Sequence, residues 1–244
     1  MKEKFVTIPN LPQSRVSLAA VGNYPEIIAA LNKEGIKTIS FESKILPSEV
    51  SRHADMLICH IGSYHIFAEP SLDTEILKKE GFNICFTDEI SAKYPLDVKL
   101  NVAVGNGFFL YNPKTADTYL TDELLLTGRI GVSTNQGYTK CSTCFVSENA
   151  VITEDPSIYK ALKKTLIDVL LISKGDIYLS DKHEGFFGGS SGKIDKNTLA
   201  VTGELKYHKD GDKIKEFCLR HGVEIKELVK GRITDIGGIL PLKS

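Results

Sequence analysis

The stretch that decides the fold is Asn32-Lys33-Glu34-Gly35-Ile36-Lys37-Thr38-Ile39. It joins the charged end of a helix to a glycine and then to residues that alternate between apolar and polar. A glycine at this point permits the left-handed backbone conformation that ends a helix, and a basic residue suits the negative end of the helix dipole. The stretch therefore predicts a helix that ends at Gly35 and a strand that begins directly after it.

The same junction recurs along the chain. Residues 78–85 and 219–225 repeat it with a glycine, residues 124–132 carry a weaker copy, and residues 163–170 carry a copy without the glycine. A repeated unit determines the whole architecture, so these junctions predict five helix and strand units. The strands after the junctions are predicted at residues 36–41, 82–86, 130–133, 167–172 and 223–228.

Glycine-rich turns recur in phase with these junctions, one in each unit. The turns are His60-Ile61-Gly62, Gly105-Asn106-Gly107, Gln136-Gly137-Tyr138, Phe187-Gly188-Gly189 and Asp235-Ile236-Gly237-Gly238. Units of this size cannot bury their apolar faces alone and must stack on one another. We therefore expect the glycine turns to gather around a central axis.

The predicted fold class is α/β, a closed five-fold pseudosymmetric α/β propeller. Residues 16–21 and 238–242 would pair, complete a single unit and close the ring. No low-complexity tract or linker marks a domain boundary, so we expect one domain over residues 1–244.

Composition limits the class of function. Thirty basic and 31 acidic residues leave a formal net charge of −1, so no overall positive field would attract a nucleic acid. No apolar run approaches the roughly 18 residues that a membrane-spanning helix needs. The five cysteines are scattered in a chain without a secretory leader, which favours reduced thiols. We expect a cytoplasmic protein with no nucleic-acid or membrane partner.

The order of these elements resembles the pentein fold of the guanidine-modifying enzymes. That family includes arginine deiminases, dimethylarginine dimethylaminohydrolases, amidinotransferases and the ribosome anti-association factor. The resemblance extends from about residue 15 to residue 242 and rests on the repeat and on two local stretches. One is residues 138–152, similar to a family segment that begins His-Leu-Lys. The other is residues 235–242, similar to the family's terminal Gly-Gly segment.

Both local stretches depart from the family at positions that carry chemistry. Lys140 falls on the family lysine, but Tyr138 stands where the enzymes have the histidine that acts as general acid/base. No cysteine follows Gly238, although the family segment ends in its nucleophilic cysteine. Attack on a guanidinium carbon needs a thiolate and a proton donor for the leaving amine.

Two functions therefore remain open. The first is a noncatalytic pentein-fold protein that binds a small polar or cationic ligand, of amino-acid or guanidino type, or an unidentified protein partner. The second is a cysteine-dependent guanidine-modifying hydrolase with a displaced nucleophile. The loss of two separate catalytic positions favours the first.

Cys141 and His60 are the candidate catalytic residues. Cys141 follows Lys140, and a cationic neighbour would lower the pKa of its thiol. His60 lies beside a glycine turn, where a histidine could exchange protons. Cys141 and Cys144 fall in a predicted strand and would point to opposite faces, so no metal site is expected. The alternatives are ordinary buried thiols and a histidine that serves only packing.

The candidate ligand-binding residues are Asn106, Tyr138, Glu184 and Asp235, which lie at or near the predicted axial turns. Carboxylates would pair with a guanidinium, and amides would orient it. The alternative is that the Asp and Asn side chains cap their own backbone turns. No cofactor is expected.

Overall fold

The structure, a computed structural model, describes residues 4–244. Within this range the chain forms five three-stranded sheets. In every sheet the middle strand pairs antiparallel with one neighbour and parallel with the other. The predicted α/β class is confirmed, and the five sheets match the five predicted units.

The strands in chain order are β1 (Leu18–Val21), β2 (Lys37–Ile39), β3 (Ile58–Gly62), β4 (His65–Ala68), β5 (Asn83–Phe86), β6 (Ala103–Val104), β7 (Phe108–Tyr111), β8 (Ile130–Ser133), β9 (Cys144–Ser147), β10 (Ala150–Thr153), β11 (Asp168–Leu171), β12 (Ser191–Asp195), β13 (Thr198–Val201), β14 (Glu224–Glu227) and β15 (Ile239–Lys243). The helices are α1 (Pro25–Lys33), α2 (Ala54–Leu57), α3 (Glu75–Lys79), α4 (Thr118–Leu126), α5 (Pro156–Leu162) and α6 (Gly211–Arg220).

Each unit is a strand pair followed by a helix and a third strand. Unit 1 contains β15, β1, α1 and β2; the other units follow the chain, with β3–β5 and α3 in unit 2, β6–β8 and α4 in unit 3, β9–β11 and α5 in unit 4, and β12–β14 and α6 in unit 5. In unit 1 the antiparallel pair joins β15 to β1, with Ala20 opposite Leu240. The predicted pairing of the early and late strands is therefore confirmed.

The predicted helix ends are also confirmed. Gly35, Gly81, Gly128 and Gly222 all have positive φ, between 69° and 90°. In unit 4, which lacks the glycine, the hydroxyl of Thr165 donates to the carbonyl of Leu162 at 2.6 Å and caps the helix end instead. Each predicted strand after a junction contains the strand that forms there.

Five apolar clusters form the core, and each joins two units. Units 1 and 2, units 2 and 3, units 3 and 4, and units 4 and 5 each share one cluster. The remaining cluster joins Ile194 and Ala200 of unit 5 to Val21 and Ile27 of unit 1. No unit buries its apolar side chains by itself, so each depends on both neighbours for its stability.

The segment that precedes the antiparallel strand pair of each unit is called here its lead segment. The lead segments are residues 235–238, 53–57, 97–102, 135–143 and 183–190 for units 1 to 5. Each lead segment hydrogen-bonds to the next, and that of unit 5 bonds to that of unit 1. The bonds are Asp55 N to Gly237 O at 3.2 Å, Asn101 Nδ2 to Asp55 O at 3.1 Å, Lys140 N to Asn101 O at 3.3 Å, Gly189 N to Cys141 O at 2.8 Å, and Gly238 N to Gly189 O at 2.7 Å.

Two of the five predicted axial turns need correction. Gly62 ends β3 at its hairpin with β4, and Gly105–Gly107 form the hairpin between β6 and β7, so both lie beyond the first strand of their unit. The lead segments of units 2 and 3 contain no glycine. Glycine marks hairpins as readily as close backbone approaches, and the sequence pattern did not distinguish the two uses.

Among residues 4–244, no helix has the length and apolar character needed to cross a bilayer.

Gly237 and Gly35 offer a matched test of the contact between lead segments, because both have φ of 77°. A methyl group at Gly35 would meet nothing, whereas one at Gly237 would overlap the backbone of His53. We expect Gly35→Ala to cost about 1–2 kcal/mol of unfolding free energy, from the left-handed conformation alone. Gly237→Ala should cost about 1–3 kcal/mol more, because of overpacking. Urea denaturation of both variants measures the difference, and equal losses would contradict this role for Gly237.

Candidate functional site

A pocket of about 480 Å³ opens where the lead segments meet. Its wall contains His53 from unit 2, Asp97 from unit 3, Cys141 from unit 4 and Asp235 from unit 1, all less than 5% exposed. Glu184 of unit 5 lies at the solvent-exposed part of the wall. All five units therefore contribute a side chain to one pocket.

Four of the site residues predicted from the sequence line this pocket: Tyr138, Cys141, Glu184 and Asp235. All four lie in the lead segments of units 4, 5 and 1. In these three units the predicted glycine turn does lie in the lead segment. Their roles in binding or catalysis stay predictions.

The other two predicted site residues, His60 and Asn106, lie elsewhere. His60 is on β3 and lines a separate cavity of about 20 Å³, where its Nε2 is 2.8 Å from the carbonyl of Ser63. Asn106 is in the β6–β7 hairpin on the surface, and its amide donates to Glu148 at 2.7 Å. The prediction that they lie near the axis is wrong, because the glycines beside them form hairpins at the far end of the first strand.

Four residues in or beside the pocket were not predicted from the sequence: His53, Asp55, Asp97 and Asn101. All four lie in the lead segments of units 2 and 3, a few residues before the first strand, as Asp235 does in unit 1. This shared distance from the first strand of the unit is the sequence signal that could have identified them. The signal is hard to recognise in the sequence because these two segments contain no glycine.

Asn101 fixes the position of Cys141. Its side-chain carbonyl accepts from the backbone amides of Lys140 at 2.7 Å and Cys141 at 3.1 Å, and its amide lies 3.1 Å from the Cys141 sulfur. The same sulfur donates to Oδ2 of Asp55 at 3.1 Å. These bonds hold residues 138–143 as a turn, so the prediction that Cys141 lies in a strand is wrong. The strand begins at Cys144.

The environment of Cys141 disfavours its thiolate. Burial raises the pKa of the thiol well above its usual value, and the charges of Asp55 and Asp235 raise it further. The expectation that Lys140 would lower this pKa is therefore wrong. The Lys140 ammonium instead donates to the carbonyl of Gly188 at 3.3 Å. Cys141 is therefore a neutral thiol at pH 7.

Tyr138 occupies the position of the family's histidine but has different chemistry. Its hydroxyl donates to Oδ2 of Asp97 at 2.7 Å. Burial, followed by this hydrogen bond and the charge of Asp97, raises the pKa of Tyr138 well above its usual range. Tyr138 is therefore a neutral phenol at neutral pH and cannot act as a base. Its hydroxyl hydrogen-bonds to one of the two carboxylate oxygens of Asp97.

Asp235 is held by two backbone amides. Its Oδ2 accepts from Phe186 at 2.8 Å, and its Oδ1 accepts from Gly237 at 3.0 Å and lies 3.7 Å from Nδ1 of His53. Burial raises the pKa of this carboxyl, and the proximity of His53 opposes the rise. One of these bonds caps the local turn, as the alternative interpretation required, yet the side chain also faces the pocket.

Several buried polar atoms in or beside the pocket have no hydrogen-bond partner among residues 4–244. They are Nε2 of His53, Oδ1 of Asp55 and Oδ1 of Asp97. A buried polar atom without a partner costs free energy, commonly about 1–3 kcal/mol. A ligand or water that supplied the missing partners would recover that cost.

The pocket is acidic and aromatic. Of the described residues that line it, four are carboxylates and none is Lys or Arg; the carboxylates belong to Glu49, Asp97, Glu184 and Asp235. Tyr138 lies between Tyr94 and Phe186, with ring centroids 6.2 and 5.9 Å apart and planes inclined by 25°. Carboxylates and aromatic faces both attract cations.

Residues 4–244 contain no group of three or more His, Cys, Asp or Glu side chains arranged to hold a metal ion. The polar and aromatic side chains of the pocket wall are its carboxylates, its two histidines and its aromatic rings.

The model of a family of unknown function (DUF6873) matches residues 20–240. The chain belongs to this family. No curated protein matches its sequence.

Solved structures share the fold of this DUF6873 protein. An agmatine deiminase of C. jejuni is 11% identical with a TM-score of 0.57, and the match covers 93% of this chain and 91% of that one. The inosamine-phosphate amidinotransferase StrB1 of Streptomyces griseus is 11% identical with a TM-score of 0.60, covering 92% and 91%. A dimethylarginine dimethylaminohydrolase is 10% identical with a TM-score of 0.52, covering 87% and 92%.

These three enzymes are pentein-fold proteins, and the predicted resemblance to that fold is confirmed. At 10–11% identity the likeness establishes the fold alone. The activity of this DUF6873 protein must be argued from its own pocket.

His60, a buried histidine outside the pocket, gives a pH prediction. Burial lowers the pKa of His60 from 6.5 to about 4. Between these values the unfolded chain binds the proton and the folded chain does not, so stability is full above pH 6.5 and falls as the pH drops towards 4. Over that range His60 should account for a loss of up to about 3 kcal/mol. His60→Phe should flatten the pH dependence of urea unfolding, and His65→Gln is the control. An unchanged slope in His60→Phe would refute the assignment.

The neutral state of Cys141 gives a labelling prediction. Thiolates, not thiols, react with iodoacetamide, so native Cys141 should react far more slowly than the partly exposed Cys85 at pH 7.5. Asp55→Asn removes a charge that raises the pKa, and each unit of pKa recovered should speed labelling about tenfold. Peptide mapping by mass spectrometry follows both sites, with Asp122→Asn as the surface control. Labelling of Cys141 as fast as Cys85 would contradict a buried thiol.

Proposed function

We propose that this DUF6873 protein binds a small cationic ligand of guanidinium or amine type in the pocket between the lead segments, without acting on it chemically. One observation carries the proposal: the pocket wall buries the carboxylates of Asp97 and Asp235 beside aromatic rings, and no Lys or Arg among the described lining residues neutralises them.

The binding chemistry follows from the geometry of these groups. Oδ1 of Asp97 accepts no hydrogen bond from residues 4–244, and a cationic N–H donor would satisfy it with a charge-assisted hydrogen bond. The Tyr138 ring, fixed by its bond to the other Asp97 oxygen, offers an aromatic face beside that position. The half-buried rings of Tyr138 and Phe186 would exclude water from a planar cation.

Three features favour binding over catalysis. Cys141 is a neutral thiol, Tyr138 is a phenol that cannot take up a proton, and Ile239 follows Gly238 where the family resemblance would place a nucleophile. Attack on a guanidinium needs a thiolate and a proton carrier. Cys141 does not supply the thiolate, although His53 in the pocket wall could carry a proton.

We also propose that the five units close into one ring and form a single domain over residues 1–244, of which residues 4–244 are described. The cyclic order of hydrogen bonds among the lead segments supports closure. So does the apolar cluster between units 5 and 1. A ring of this kind would place the pocket on the pseudosymmetry axis.

A second candidate function is a cysteine-dependent guanidine-modifying hydrolase with Cys141 as a displaced nucleophile. The observation that favours it is that Cys141 lines the same pocket as Asp97 and Asp235. A bound cation would offset the carboxylate charges and lower the pKa of the thiol. In this second candidate, the Cys141 thiolate would form only when the cationic substrate is bound.

The binding proposal is tested with n-butylguanidine and isothermal titration calorimetry. We expect the protein to bind this cation and Asp97→Asn to weaken binding at least about tenfold, because one charge-assisted hydrogen bond is lost. The isosteric amide keeps an acceptor for Tyr138, so the fold should be retained. Asp122→Asn, on the exposed face of α4, is the control. Unchanged affinity in Asp97→Asn would place the ligand elsewhere.

The two candidate functions are separated by a turnover assay. Arginine, agmatine and dimethylarginine should yield no more citrulline or carbamoyl product with this protein than with Cys141→Ala. Turnover by the parent protein that Cys141→Ala abolishes would establish the hydrolase instead. Turnover that survives Cys141→Ala would exclude both the noncatalytic proposal and Cys141 as the nucleophile.

A further inference from the structure

We infer that a second site, at the hairpin end of units 2 and 3, binds the phosphate group of a small molecule, with Arg129 as its main anchor. This site shares no lining residue with the pocket between the lead segments. The inference does not depend on the proposed cation binding. It rests on a cavity, on a half-buried arginine and on the hydrogen-bond donors around that arginine.

An open cavity of about 600 Å³ lies where four segments of the chain meet. The segment before β1 contributes Thr7, the β3–β4 hairpin contributes Ser63 and His65, the β6–β7 hairpin contributes Asn106, and the junction between α4 and β8 contributes Arg129. Of the described residues that line this cavity, none is Asp or Glu. The fixed charge of the wall is therefore the positive charge of Arg129.

Arg129 departs from the repeat at a core position. It directly follows Gly128, and the residues that follow the equivalent junction glycines of units 1, 2 and 5 are Ile36, Phe82 and Val223. These three side chains are between 1% and 4% exposed, and each belongs to an apolar cluster. A charged side chain where the fold uses apolar ones opposes stability, and such local conflicts are typical of functional sites.

The Arg129 guanidinium pairs with no carboxylate of residues 4–244, whereas Arg15 and Arg220 each form an ion pair. Its Nε donates to the carbonyl of Gly105 at 3.4 Å, and its Nη1 donates to Oγ1 of Thr127 at 2.6 Å. These bonds fix the plane of the guanidinium, and Nη2 forms no hydrogen bond with residues 4–244. Burial lowers the pKa of the group, because its charge is partly removed from water without an anion beside it.

The space beside Nη2 is kept open by a glycine. A Cβ atom at Gly62 would lie 3.2 Å from Nη2 of Arg129 and 2.8 Å from the carbonyl oxygen of Thr7, so these two residues flank one point of the wall. The hydroxyls of Thr7 and Ser63 form no hydrogen bond with residues 4–244 and line the same cavity. The site therefore offers an arginine N–H and two hydroxyl donors from three segments of the chain.

These donors suit a phosphate group. A phosphate carries more acceptor oxygens than a carboxylate, so it can accept from the guanidinium and from both hydroxyls together. The Asn106 amide is already bonded to Glu148, whose carboxylate does not line the cavity. A bound phosphate would therefore neutralise the Arg129 charge without facing a carboxylate of the wall.

Calorimetric titration with inorganic phosphate at low ionic strength tests the site. We expect saturable binding that Arg129→Gln weakens at least about tenfold, because a charge-assisted hydrogen bond is lost. Arg15→Gln is the matched control, since that arginine is exposed and already pairs with Glu34, and it should leave the affinity unchanged. Equal affinity in Arg129→Gln and the parent protein, or no saturable binding, would overturn the inference and leave the cation proposal standing.

A second variant covers the case in which Arg129→Gln does not fold. Thr7→Val is isosteric, removes one hydroxyl donor and should weaken phosphate binding several-fold. If Arg129→Gln does not fold, unchanged affinity in Thr7→Val would overturn the inference.

Two further compounds define the ligand. Glycerol 3-phosphate that binds more tightly than inorganic phosphate would support a phosphate ester as the ligand, and the reverse order would support the free ion. Acetate should bind at least about tenfold more weakly than either, because it has fewer acceptor oxygens. Acetate that binds as tightly as phosphate would overturn the assignment to a phosphate group.

Discussion

The cycle of hydrogen bonds among the lead segments is the interaction on which the rest of the structure depends. Each bond ties the segment before a unit's strand pair to that of its neighbour, from Asp55 with Gly237 through to Gly238 with Gly189. The backbones approach so closely that a Cβ atom at Gly188 would overlap the carbonyl oxygens of Cys141 and Thr143. The apolar clusters between units then fill the space outside this cycle. This cycle positions the pocket side chains that belong to the lead segments, such as His53, Asp97, Cys141 and Asp235.

Much of the fold could be predicted because its signals are local. A left-handed glycine such as Gly35 and an alternating strand need only a few neighbouring residues to be recognised. The site was harder to predict because its members are defined by equivalence between units. Asp235 is followed closely by the glycine pair Gly237–Gly238, which makes its segment recognisable, whereas no glycine lies near Asp97. The pKa of Cys141 depends on Asp55, 86 residues away in sequence, so no local pattern could give it.

Binding a cation and forming a thiolate would make opposite demands on this pocket. Carboxylates that attract a cation, such as Asp235, also stabilise the protonated thiol of Cys141. An enzyme must balance the two effects with a base or a cationic neighbour near the sulfur. Here Asn101 is the other polar side chain bonded to the thiol, and it is neutral. This environment of the thiol supports the proposed binding function over the second candidate.

The pairing of β15 with β1 has a consequence for the order of events during synthesis. Unit 1 takes two of its strands from the beginning of the described chain and one from its end, so β1 and α1 leave the ribosome long before their partner strand. Domains dominated by such distant pairings fold slowly, because the chain loses loop-closure entropy before the stabilising contacts form. Asp235 lies in the same late segment. The nascent chain therefore cannot present a complete pocket until translation has passed residue 243, and a ligand could act on folding only after that point.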